Sequence, residues 1–268
     1  MGSPIAHSRS PVLHRAAYAA LGLAGWTYER FELRDAEFPR WLAGLDESWR
    51  GISVTMPVKQ QAFACAESAS ELATTLGAAN TLVRTDRGWR ADNTDVGGLL
   101  GALSEGGAGH GPGEGSATVL GAGGTASAAV AALAALGHHR VDVVVRNPER
   151  ARALLILTDR LGMTARLHTW PGDAVLDAGL VISTVPAAAT SKLLGHRWRA
   201  GQTIIDVSYD PWPTALVTAA GAGGARAIGG VAVLLWQAVG QVELMTGQPA
   251  PVDAMRAALL PGGTLAPA

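Results

Sequence analysis

The segment ATVLGAGGTASA, residues 117–128, constrains the fold of this chain more than any other. A β-prone run ends at Leu120, and Gly121-x-Gly123-x-x-Ala126 then opens an alanine-rich helix. Gly121 permits the tight turn, Gly123 lets a pyrophosphate approach the backbone, and Ala126 allows the helix to pack closely on the sheet. Free N–H groups and a partial positive charge at the helix start suit phosphate. A strand–turn–helix of this kind implies a dinucleotide-binding βαβ fold, with Gly121, Ala122, Gly123, Gly124, Thr125 and Ala126 lining the phosphates. The second strand, VDVVVRNPER, ends at Arg146, with Arg150 one turn on and no acidic residue at the strand end. An acid there would hold a ribose hydroxyl, whereas an arginine accommodates a 2′-phosphate, so the expected cofactor is NADP.

Around this motif the pattern is that of an α/β protein. Strands are expected at 117–120, 141–145, 180–184 and 203–207, with helices from about 124 and 148. Ahead of it lie a helix at 11–24 with Ser10 as N-cap and Pro11 leading, a strand at 26–33 and another at 51–55. A helix at 59–73 and a hairpin at 80–91 follow, while the glycine-rich 104–116 reads as a flexible loop. Two more helices, at 229–247 and 251–260, close the chain. With 268 residues, there is room for two domains. We expect a substrate domain of 1–96 plus 231–268, a dinucleotide domain of 97–230, and the active site in the cleft between them.

Composition narrows the class. Hydrophobic residues make up 48% and charged residues 16%, so a large core is available and disorder is not expected. The net charge of −1 supplies no basic face for nucleic acid or an anionic membrane. A single cysteine, Cys65, excludes an intramolecular disulfide and reads as a packing residue. The nearly uncharged stretch 117–137 is broken by glycines and is read as two buried elements, not a membrane span. A cytoplasmic protein, monomeric or homodimeric, is expected.

Other segments carry a more specific signal. GSPIAHSRSPVLH (2–14), SVTMPVK (53–59), AANTL (78–82), DNTDVGG (92–98), DVSYDPWPTAL (206–216) and GGVAVLLWQAVGQVELMTG (229–247) stand in order along the chain. Together they resemble the shikimate dehydrogenase family. The resemblance implies NADP-dependent interconversion of 3-dehydroshikimate and shikimate in aromatic amino-acid biosynthesis. It also implies Lys59 and Asp95 as the catalytic pair, and Ser8, Ser10, Thr55, Asn80, Tyr209 and Gln237 as substrate contacts. Oxidation of a secondary alcohol needs a group that takes the hydroxyl proton while hydride leaves the carbon, and Lys59 and Asp95 suit that need. The proton's resting place within the pair stays open. His7 and His14 are assigned to packing and hydrogen bonding.

Several features depart from the family pattern. Ser127 stands where an arginine is common, and Val145 where an asparagine is usual, which implies a weaker preference for NADP. The closing helix reads VELMTG without the usual aromatic. Only Met1 precedes Gly2, where the family has a β-strand, implying a bare sheet edge and a natural protein that starts upstream. A relative acting on quinate or an amino analogue is the first rival reading. A non-catalytic cofactor-binding protein that has kept the fold is the second.

Overall fold

The computed structural model describes residues 1–108, 115–170 and 173–259. In chain order it begins with α1 (Ser10–Ala20), α2 (Phe38–Ala43), β1 (Gly51–Ser53), α3 (Lys59–Ala64), β2 (Ser68–Ala69) and α4 (Glu71–Leu76). The hairpin β3 (Thr81–Thr85) and β4 (Gly88–Asp92) leads into α5 (Asp95–Glu105). Then come β5 (Ala117–Leu120), α6 (Gly124–Ala135), β6 (Arg140–Val145), α7 (Arg152–Arg160), β7 (Thr164–Thr169), β8 (Leu180–Ser183) and β9 (Thr203–Asp206). The last elements are α8 (Ala215–Ala222), β10 (Arg226–Gly229), α9 (Gly230–Thr246) and α10 (Val252–Leu259). Two compact units result: Met1–Asp95 with the described residues from Leu235 on, and Val96–Leu234.

The first unit holds a four-stranded sheet in the order β1-β3-β4-β2, antiparallel except for the parallel β2–β4 pair. Apolar residues from both its strands and its helices meet beneath it: Phe38, Ile52, Val58, Ala62, Leu82 and Trp89 are all buried. Here the sequence pattern misleads in three places. The run 59–73 is two short helices, because Glu67 N–H pairs with Trp89 O at 3.0 Å and Ser70 caps a new helix by accepting from Ala73 N–H. The run 26–33 pairs only through a parallel bridge between Glu32 and Gly2 and forms no full strand. Ser10 is the first residue of α1 and not its cap; Arg9 occupies the cap position without a side-chain bond.

Residues 1–3 lie extended between two backbone segments. Leu33 N–H donates to Gly2 O at 3.1 Å on one side, and Thr55 N–H donates to Met1 O at 2.8 Å on the other. The edge expected to lie bare is therefore covered at one end. Beside Met1 the flanking segments 25–31 and 48–53 bound a cavity of about 430 Å³ lined by Tyr18, Trp26, Phe31 and Trp49.

The second unit is a six-stranded sheet in the order β10-β9-β8-β5-β6-β7, with every pair parallel. This is the doubly wound order, and the switch point falls between β5 and β8. The central strands are buried along their length, as a sheet covered on both faces requires. Edge strand β7 is largely exposed and edge strand β10 begins with an exposed Arg226, so neither shows the apolar run that marks its neighbours. Residues 148–151 form a 3₁₀ turn ahead of α7. Helix α5 continues through Glu105 into the stretch read as a loop, and 109–114 of that stretch lie outside the described residues. Among the described residues, no helix is long and apolar enough to cross a membrane.

Candidate active site

Lys59 is the first residue of α3 and Asp95 the first of α5, and their side chains form an ion pair, each about one-eighth exposed. The local sequence explains why Asp95 stands there. Asn93 Oδ1 accepts from Asp95 N–H at 3.0 Å, satisfying a first-turn amide that the helix leaves open, and a carboxylate in a first turn is favoured by the helix dipole. Such a nearly dry pair of opposite charges needs further hydrogen bonds to offset its desolvation. Asn80 supplies one, donating from Nδ2 to Asp95 Oδ1 at 2.9 Å.

Asn80 is itself buried and fully engaged. Its Nδ2 also reaches Thr94 Oγ1 at 2.9 Å and Gln237 Oε1 at 3.5 Å, while its Oδ1 accepts from Thr94 N–H at 2.8 Å. Thr81 Oγ1 donates to the same oxygen at 2.8 Å. Four residues expected at the site are thus brought together: Lys59, Asp95, Asn80 and Gln237.

Gln241 belongs to this group and escaped the sequence reading. One turn past Gln237 on α9, it is buried; its Nε2 donates to Asn80 O and to Thr81 Oγ1, each at 3.1 Å. Its Oε1 accepts from Ser53 Oγ at 2.9 Å. The available signal was a second glutamine at i+4, on the same helix face as Gln237.

The serine segment joins the group by a side route. Burial pushes the Tyr28 phenol up to about 12, against the lowering influence of the Ser10 and Ser53 hydroxyls. His14 stacks on Tyr28 with ring centroids 4.0 Å apart. Its Nδ1–H donates to Ser10 O at 3.0 Å, and burial lowers its pKa to about 4, so it is neutral and structural. Ser8 Oγ accepts from Ser10 N–H at 3.4 Å. Thr55 is exposed at the turn after β1, its carbonyl accepting from Val58 N–H.

Tyr209 and the glycine turn lie in the second unit. Gly121 has φ +111°, and a Cβ there would sit 2.6 Å from Thr184 Oγ1, so only glycine fits. A Cβ on Gly123 would meet nothing within 4 Å, which leaves an open face over the turn. Gly123 caps α6 with no side-chain hydrogen bond, so the first amides, of Gly124, Thr125 and Ala126, are unclaimed by a cap. Ala126 is fully buried against the sheet. Arg146 and Arg150 are exposed after β6, and Asn147 caps the 3₁₀ turn that carries Arg150. Bare amides, a dipole, an open face and two guanidinium groups fit a dinucleotide carrying an extra phosphate.

A doubly wound sheet with a bare glycine turn, accompanied by an α/β unit carrying a lysine–carboxylate pair, defines a two-domain dinucleotide-dependent oxidoreductase. Comparison with known proteins narrows this class. Residues 1–82 match the shikimate dehydrogenase substrate-binding domain, 230–260 the shikimate 5′-dehydrogenase C-terminal domain, and 116–209 an NADP oxidoreductase family described as coenzyme F420-dependent. The chain is 39% identical to the shikimate dehydrogenase (NADP(+)) of Methylobacterium radiotolerans, over 92% of this chain and 90% of that one. The crystal structure of Mycobacterium tuberculosis shikimate dehydrogenase superimposes with a TM-score of 0.85 at 47% identity, covering 96% of each chain. A Thermus thermophilus shikimate 5-dehydrogenase, solved with NADP(H) and shikimate, gives 0.79 at 30% identity, again over 96% of each. The chain belongs to the shikimate dehydrogenase family.

Proposed function

We propose that this protein reversibly reduces 3-dehydroshikimate to shikimate with NADPH. The Lys59–Asp95 ion pair, oriented by a buried asparagine, carries this reading. Bound NADP supplies the hydride acceptor. In the reduction the Lys59 ammonium gives a proton to the reacting oxygen as hydride reaches the carbon, and in the reverse direction the neutral amine takes that proton back. Asp95 holds the lysine's direction, and Asn80 holds the carboxylate. Gln237, which meets Asn80 through Oε1, supports a substrate hydroxyl, and Ser8 and Ser10 bind the substrate carboxylate. Thr55 and Tyr209 complete the contacts. A polyhydroxy acid matches this donor set because a substrate lacking one hydroxyl would leave a polar partner unpaired.

On the cofactor side, the amides from Gly121 to Ala126 hold the pyrophosphate, and Arg146 with Arg150 holds the 2′-phosphate. A near-neutral composition with one cysteine supports a cytoplasmic enzyme that works without nucleic acid. Initial rates with shikimate and quinate, each against NADP and NAD, test the reading. The highest kcat/KM is expected for shikimate with NADP. No turnover of shikimate with either cofactor would refute the assignment, and a preference for quinate would move it within the family.

A further inference from the structure

The bonds that reach Asp95 form a chain that runs from α9 through Thr81 and Asn80 to the carboxylate. Gln241 Nε2 can only donate, and it donates to Thr81 Oγ1 at 3.1 Å. The Thr81 hydroxyl, with a lone pair so occupied, sends its single proton to Asn80 Oδ1 at 2.8 Å. Thr94 N–H donates to the same oxygen at 2.8 Å. Asn80 therefore presents oxygen to Thr81 and Thr94, and its Nδ2 faces Asp95 Oδ1 at 2.9 Å. A flipped Asn80 would set its carbonyl against a carboxylate and its amide against the Thr94 N–H.

The far end of the chain is anchored as firmly. Both Gln241 donors are used, one on Thr81 and one on Asn80 O at 3.1 Å, and its Oε1 accepts from Ser53 Oγ at 2.9 Å. Its side chain is buried with these partners, where unmet polar atoms are costly. Residues from β1, β3 and α9 thus meet on one amide group.

We propose that Gln241 and Thr81 are positioning residues for the reaction: they set the Asn80 amide, which aims Asp95 at Lys59. Neither is assigned a contact with substrate. The proposal rests on Lys59 and Asp95 being the reacting pair. Its signature is a fall in kcat larger than any rise in KM for substrate, with KM for cofactor unchanged, since of the expected substrate contacts only the Asn80 amide is disturbed.

The test compares Thr81→Val, Thr81→Ser, Gln241→Leu and the Thr81→Val/Gln241→Leu double variant in steady-state kinetics with shikimate and NADP, alongside thermal melts. Thr81→Val is nearly isosteric, so it remains informative if Gln241→Leu does not fold. About tenfold loss in kcat is expected for each single change, as for one misdirected hydrogen bond. Thr81→Ser, which keeps the hydroxyl, is expected to retain wild-type kcat. The double variant is expected to be no slower than the slower single, since both act through one amide. Unchanged kcat in a folded Thr81→Val, equal loss in Thr81→Ser and Thr81→Val, or additive losses in the double would overturn the relay. Lys59→Ala separates the two levels. If it is inactive while Thr81→Val is normal, only the relay falls; if it turns over normally, the reading of the site falls and the relay with it.

Discussion

The two halves of this molecule prepare for a ligand in opposite ways. In the first unit, recognition is built from buried side chains that hold one another: Gln241, Thr81, Asn80, Asp95 and Lys59 share a continuous set of hydrogen bonds. In the second, the glycine turn offers backbone alone, with no side-chain cap on α6 and an open face at Gly123. Chemistry at a carbon atom needs a proton acceptor at a defined place, and only an oriented side chain supplies one. A pyrophosphate needs several N–H groups at once, which a helix start provides without any side chain. Substitutions should therefore act by removing a group in the first unit and by adding one in the second.

Lys59→Ala is the sharpest way to break that contrast. We expect kcat to fall by roughly 10²–10⁴ with a much smaller change in KM, read from steady-state rates. Near-normal turnover would mean that the first unit's network is structural only.

The pH dependence of stability should also divide the units. His14 has its folded pKa lowered by burial from 6.5 to about 4, so the unfolded state binds its proton first. Its contribution is whole above pH 6.5 and is lost as the pH falls toward 4, on the order of 3 kcal/mol at most. Melting curves across that range should flatten in His14→Phe, which keeps a ring against Tyr28. Asp206 at the end of β9 runs the other way: burial raises its pKa, so it opposes stability as the pH rises through that value. Equal slopes in wild type and His14→Phe would remove His14 from the account.

In the glycine turn, Gly121→Ala adds a single methyl group. It meets both a backbone of φ +111° and the Thr184 hydroxyl. About 1–3 kcal/mol of stability should be lost, and NADP affinity should weaken in a fluorescence titration with shikimate KM unchanged. The same melting temperature and affinity as wild type would show that the turn has slack.

Arg146→Ala tests the exception, a side chain working on the backbone side of the molecule. Losing one charge-assisted bond should weaken NADP about tenfold and leave NAD untouched. Equal efficiency with both cofactors in the unaltered protein would refute the role given to Arg146. The smallest effect concerns the cavity beside Met1. A β-prone extension ahead of Met1 can pair with the segments on either side, and each kcal/mol gained should raise the melting temperature by about 2–4 °C. Identical melting of extended and present forms would sink this idea.

Elements that carry their own signal were legible before any coordinates. The run ending at Leu120 and the turn at Gly121 announce themselves because a tight turn needs glycine and a covered strand needs apolar residues on both faces. Lys59, Asp95 and Asn80 stand in segments whose order resembles one family, so they could be named without knowing that they touch. What a residue pairs with across space is another matter. The run 26–33 has the alternation of a strand and forms only one bridge, since strand identity belongs to the partner as much as to the chain. Residues 59–73 have helical spacing, yet pairing of 67–69 with β4 breaks them in two. Strands β7 and β10 were invisible because an edge position asks little of composition. Gln241 shows the limit most clearly. In sequence it is one more polar residue on an apolar helix; only when α9 lies against β1 and β3 do its two donors and one acceptor each meet a partner. Local preference and order along the chain were written in the sequence, whereas the direction of a buried hydrogen bond depends on three separate segments meeting, which tertiary structure alone decides.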